Sequence, residues 1–100
     1  MNSTYRKIID NIGLEIQRAH DAMDAGKLYT AIIALRGAEG SFSTWRALAV
    51  FAYREDARPW QALLDDLQEA WTRFDQMLIE RAMNRFHLHT DEPERLKEEP

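Results

Sequence analysis

The chain contains no cysteine, which excludes disulfide bonds, thiolate zinc sites and cysteine nucleophiles. Only four glycines and three prolines occur in 100 residues, and none falls between Pro59 and His89. That stretch therefore holds no helix breaker. Three serines are present, Ser3, Ser41 and Ser43; each suits a helix cap, and none lies in a nucleophile-elbow pattern. The segment 36–41, RGAEGS, matches neither a Walker loop nor a dinucleotide fingerprint. The Glu-x-x-His pair that di-iron bundles repeat on two helices is missing, so no cofactor and no metal are expected. His20 beside Asp21 and Asp24 reads as a hydrogen-bonded structural histidine. His87 and His89 are suited to adventitious metal binding at most. No run approaches the roughly 18 apolar residues of a membrane span, and the first residues lack the apolar core of a signal peptide. A cytoplasmic location is the expectation.

What is present suits one small domain with a single core: 45% hydrophobic residues, 30% charged, net charge −4 and pI near 5.3. Mild acidity disfavours non-specific binding to nucleic acid or anionic membranes. The charge is blocked along the chain, with −1 over residues 1–26, +2 over 27–60, −4 over 61–80 and −1 over 81–100.

Periodicity predicts helices throughout. Asn2 or Ser3 caps a first helix carrying the stripe Tyr5, Ile9, Ile12, Ile16, Ala19 and Met23, with Gly26 as its stop signal. Gly13 sits on the flank of that stripe, where a small residue would let a neighbouring helix approach. Leu28, Ala31, Ile32, Ala34, Leu35 and Ala38 leave the next helix almost no polar side, so it is expected to be central. Gly37 and Gly40 suggest a turn, after which Ser41 to Thr44 would cap a third helix facing inward with Trp45, Leu48, Ala49, Ala52 and Tyr53. Pro59 suits the first turn of a last, long helix whose core stripe is Trp60, Leu64, Leu67, Trp71, Phe74 and Leu78. The expected fold is all-α: a compact four-helix bundle, helices near 3–25, 27–38, 43–55 and 58–88, with a long C-terminal helix. One helical domain, 1–89, precedes a flexible acidic tail, 90–100, too poor in hydrophobes to fold alone.

Beyond Leu78 the stripe meets Arg81, Arg85 and His89, while the apolar positions move to Ile79, Met83 and Phe86. Apolar side chains flanked by arginine have the composition of an interface core. A non-enzymatic protein–protein interaction module is therefore expected: an adaptor, regulatory subunit or inhibitor of a larger assembly. It would dock on a protein partner or on itself, with Ile79, Met83 and Phe86 as anchors and Arg81 and Arg85 as orienting groups. The competing possibility is that the helix bends near Leu78 and packs these anchors inside the monomer.

Two local resemblances accompany this expectation. Gly26-Lys27-Leu28, Ala31-Ile32 and Ala38 resemble the turn and second helix of a tetratricopeptide unit, over about a dozen residues and without recurrence. Arg81 and His87, spaced Arg-x5-His, are similar to the motif of HEPN ribonucleases. That resemblance implies an arginine holding phosphate and a histidine acting in RNA cleavage, although Ala82 stands where that family has a polar residue. A helix-turn-helix DNA regulator is the other alternative, with Ser41–Arg54 as recognition helix after the Gly40 turn. Its apolar residues leave few positions to read base edges.

Overall fold

The computed structural model describes residues 2–91, with side chains as far as Arg85. These residues form three α-helices and no strand: α1, Ser3–Asp24; α2, Leu28–Arg46; and α3, Arg58–Asp91. A π-helical segment, Ala47–Ala52, prolongs α2. The fold is all-α, as expected, but with three helices instead of four. Beyond Asp91, the expected tail lies outside the described residues.

Asn2 caps α1, its side-chain oxygen accepting the Thr4 N–H at 2.7 Å. At the far end Gly26 takes φ +74°, with Gly26 N–H bonding Met23 O at 3.0 Å and Lys27 N–H bonding Ala22 O at 2.8 Å. This is a Schellman stop, built on the residue with no Cβ to oppose a left-handed conformation. The chain then reverses, so α2 runs antiparallel to α1.

The expected turn at Gly37–Gly40 does not form; α2 passes straight through it. Two glycines inside a helix cost roughly 2 kcal/mol relative to alanine. Against this stands one unbroken stripe, Leu28, Ala31, Leu35, Ala38 and Phe42, buried at alternating spacings of three and four. Burying Phe42 alone contributes about 1.5–3 kcal/mol, and breaking the helix would forfeit it. Ser41, Ser43 and Thr44 are consequently exposed mid-helix residues, not caps.

The real end of α2 comes later and is irregular. Tyr53 N–H reaches Leu48 O at 3.1 Å, a five-residue closure, and Glu55 N–H reaches Ala49 O at 2.8 Å. Arg54 then turns the chain in a left-handed conformation, φ 55°. The stripe of the continuous α2 runs on through Ala49 and leaves Trp45 and Leu48 on its flank, while the wide turn carries Ala52 and Tyr53 outward. Only Ala49 of that set is buried, while Trp45, Leu48, Ala52 and Tyr53 are exposed.

Helix α3 starts at Arg58 with Pro59 in its first turn. Its buried stripe is Trp60, Leu63, Leu67, Ala70 and Phe74, with Met77 half-buried. Leu64 and Trp71, expected on the stripe, sit on its flank, and Leu78 is exposed. Volume is the reason. Fully buried Ala70 allows close approach to the neighbouring helices, while the bulk of Trp71 is set to one side, 5.7 Å beneath the Arg36 guanidinium. Small residues play the same part at Ala19, Ala31 and Ala38, all fully buried. Gly13 does not: a Cβ there would meet nothing within 4 Å, so it marks no helix contact.

Tyr5 of α1 packs edge-on against Trp60, ring centroids 6.4 Å apart, and Phe42 of α2 lies 6.3 Å from the same ring. Further along, Arg73 of α3 bonds His20 Nδ1 at 3.0 Å and pairs with Asp24, both on α1. Helices α1 and α3 therefore run parallel, in an up-down-up bundle whose buried side chains form one cluster.

Two glycine variants test the corrected boundaries. Gly26→Ala should destabilise the protein by about 1–2 kcal/mol, the cost of a left-handed Cβ. Gly40→Ala should stabilise it by about 0.5–1 kcal/mol, because it lies in helix with open space around a Cβ. Thermal melts of both variants measure the pair, and a loss of stability in Gly40→Ala would restore the turn.

Candidate functional site

At about 1.5 Å per residue, α3 is roughly 50 Å long, against about 33 Å for α1 and 28 Å for α2. The surplus lies at its C-terminal end. Arg81 occupies the last position of the core stripe's phase, and its Nη2 donates to Gly26 O at 3.0 Å, bracing α3 on the α1–α2 turn. Arg81 thus marks where the bundle ends. Residues 82–91 continue for roughly 15 Å more, with no other described helix beside them.

Ile79 is 58% exposed and Met83 63%. By helical phase both point away from Phe74 and Met77, so they occupy the side of α3 opposite the core. The bend that would have folded them inside the monomer does not occur. Leu78, 45% exposed, lies between the two faces, and Arg85 is exposed. Phe86 follows Ile79 at seven residues on the same helix face, and its side chain lies outside the described residues, as do those of His87 and His89. Of the five residues expected at this site, the structure thus gathers Ile79 and Met83 on one face. It engages Arg81 with Gly26, and leaves Arg85 on another side of the helix.

The competing expectations lose specific supports. With residues 37–40 helical, the turn before a DNA recognition helix does not form. Arg81 of the Arg-x5-His pair gives one guanidinium nitrogen to Gly26 O. Among the described residues no group of three or more His, Asp or Glu side chains is placed to hold a metal. His20 is instead tied to Arg73, and since a guanidinium has only N–H donors, His20 Nδ1 is the acceptor. Among the described residues no helix is long and apolar enough to cross a membrane.

A concave surface, which the sequence does not announce, lies at the opposite end of the molecule. A cleft of about 260 Å³ opens between the end of α2 and the start of α3, lined by Arg46, Val50, Phe51, Ala57, Trp60, Gln61 and Leu64. Arg46 stacks over Phe42 at 4.9 Å, and its Nε has no hydrogen-bond partner among the described residues. The Trp60 indole N–H is likewise unpaired, on a side chain only 1% exposed. The π-helical turn shapes one wall. Such turns recur at functional sites, but neither the turn nor a left-handed arginine leaves a trace in hydrophobic spacing.

The connection beside this cleft is held by Asp56. Its carboxylate accepts the Arg58 backbone N–H at 2.9 Å and the Arg58 guanidinium at 2.6–3.0 Å. These bonds lower the Asp56 pKa from an ordinary 3.8 to about 2. A depressed folded-state pKa means a contribution present above the unfolded value and lost as pH falls through the folded one. The stability difference between the native chain and Asp56→Asn should therefore be largest above about pH 4 and close toward pH 2, as denaturant titrations at several pH values can measure. Comparison with family models, with curated proteins and with solved structures finds no match to this chain.

Proposed function

We propose that the protein is a non-enzymatic protein–protein interaction module that docks through the free end of α3. The observation that supports this reading is the exposure of Ile79 and Met83 on a helix face directed away from the core. Nothing among the described residues covers that face, where two large apolar side chains stand more than half exposed. Docking a helix face into a groove uses anchors spaced by three, four and seven residues, the spacing of Ile79, Met83 and Phe86. Arg85 supplies a charge for orientation, and Arg81 ties the helix end to the α1–α2 turn through Gly26 O. Upstream, residues 61–80 carry −4, so the same helix presents an acidic surface next to the apolar one. That contrast selects both partner and register.

The reading extends to an adaptor, regulatory subunit or inhibitor of a larger assembly, with another protein or a second copy of this chain as partner. The cytoplasmic setting expected from the sequence belongs to the same proposal.

Ile79→Asp combined with Met83→Asp tests it. Both positions are exposed, so helicity by circular dichroism should be unchanged and the melting temperature nearly so. Self-association by sedimentation, or capture of the partner, should be lost. If the double variant unfolds, the two side chains belong to the core; if binding persists, the docking surface lies elsewhere.

A further inference from the structure

The cleft at the base of the bundle has features that packing does not account for. Its lining is mostly apolar, Val50, Phe51, Ala57, Trp60 and Leu64, with Arg46 as the one charged member. Gln61, the other polar member, already donates to Asp65 Oδ1 at 3.1 Å. Behind these walls two covered N–H donors, Arg46 Nε and Trp60 Nε1, have no acceptor among the described residues. Covered donors are normally paired, and leaving one unpaired costs about 1–3 kcal/mol. Phe51 stands at the rim, 77% exposed. An exposed aromatic beside a concave apolar surface with an arginine has the make-up of a binding hot spot. The floor is firm, because Trp60 is locked between Tyr5 and Phe42.

We propose that this cleft is a second docking site, which takes an acidic, apolar peptide segment of a protein partner. A carboxylate of the segment pairs with Arg46, and a neighbouring apolar side chain packs on Val50, Phe51 and Leu64. Charge complementarity selects the occupant. Arg46 is the one charged side chain of the lining, and in the connection that follows Arg54 and Arg58 are balanced by Glu55 and Asp56. A basic or neutral segment would leave the Arg46 charge without a counter-charge. A peptide suits the shape better than a small molecule. The cleft is open along one side, and at about 260 Å³ it falls below the roughly 300–1,000 Å³ of sites that enclose a ligand. This site is independent of the α3 end, and either can fail without the other.

Selection from a random library of displayed short peptides against the full chain provides the probe. The enriched sequences should place Asp or Glu beside Leu, Phe or Met. One such peptide, synthesised, should shift the Trp60 indole N–H and the amides of residues 46–64 in heteronuclear NMR. Arg46→Glu should weaken it by about tenfold or more. Gln61→Glu, an exposed substitution that leaves the core untouched, should weaken it by about threefold, which keeps the test decisive if Arg46→Glu unfolds. Enrichment of peptides without acidic residues would overturn the proposal, as would shifts confined to other surfaces or affinities unchanged in both variants. Saturation of the same shifts by sodium octanoate, with no peptide binding, would assign the cleft to a small carboxylate instead. Self-association abolished by Arg46→Glu would assign it to a second copy of this chain.

Discussion

Trp60 is the side chain on which the three helices converge. It sits in the first turn of α3, almost wholly buried, with Tyr5 of α1 on one side and Phe42 of α2 on the other. Truncating an aromatic side chain in such a place costs about 3–5 kcal/mol, a large share of a small domain's stability. It also sets direction. With the start of α3 fixed against the start of α1, the two helices must run parallel, and the greater length of α3 emerges beyond the α1–α2 turn. Both candidate surfaces follow from this one anchor: the cleft forms around Trp60 itself, and the free helix end lies at the opposite extreme.

Along α3 the attachments change character. Near Trp60 they are apolar; at Arg73 polar ones through His20 and Asp24 join the apolar contacts of Phe74 and Met77; at Arg81 a hydrogen bond to Gly26 O follows. Past that point the described side chains face outward. The same phase that buries Phe74 and Met77 directs Ile79 and Met83 to the other side. A change of face in the hydrophobic pattern is thus a change of neighbour.

Much of this is legible in the order of the residues. Alternating three- and four-residue spacings in α1 pick out Tyr5, Ile12, Ile16, Ala19 and Met23, all buried. Gly26 announces its own turn, and the departure of Ile79 and Met83 from the core stripe is visible as a shift in phase. The departures from expectation share a cause. Gly37 and Gly40 have the local signature of breakers although the stripe runs through them, because propensity alone omits the burial that opposes it. Leu64, Trp71 and Leu78 have the size of core residues, yet close helix contact favours Leu63 and Ala70.

By itself, the sequence determined the helical class, the stop at Gly26, the start of α3 beside Pro59 and the shift of phase at Ile79 and Met83. These are local properties, written in spacing, capping and φ preference. Tertiary structure decided the rest: the continuity of α2, the π-helical turn, Arg54 in a left-handed conformation, the outward facing of Ile79 and Met83, and the cleft with two covered, unpaired donors behind it. Each depends on contacts between residues far apart in the chain. No window of neighbouring residues contains the burial energy that holds a helix through two glycines, or brings Arg46 beside Trp60.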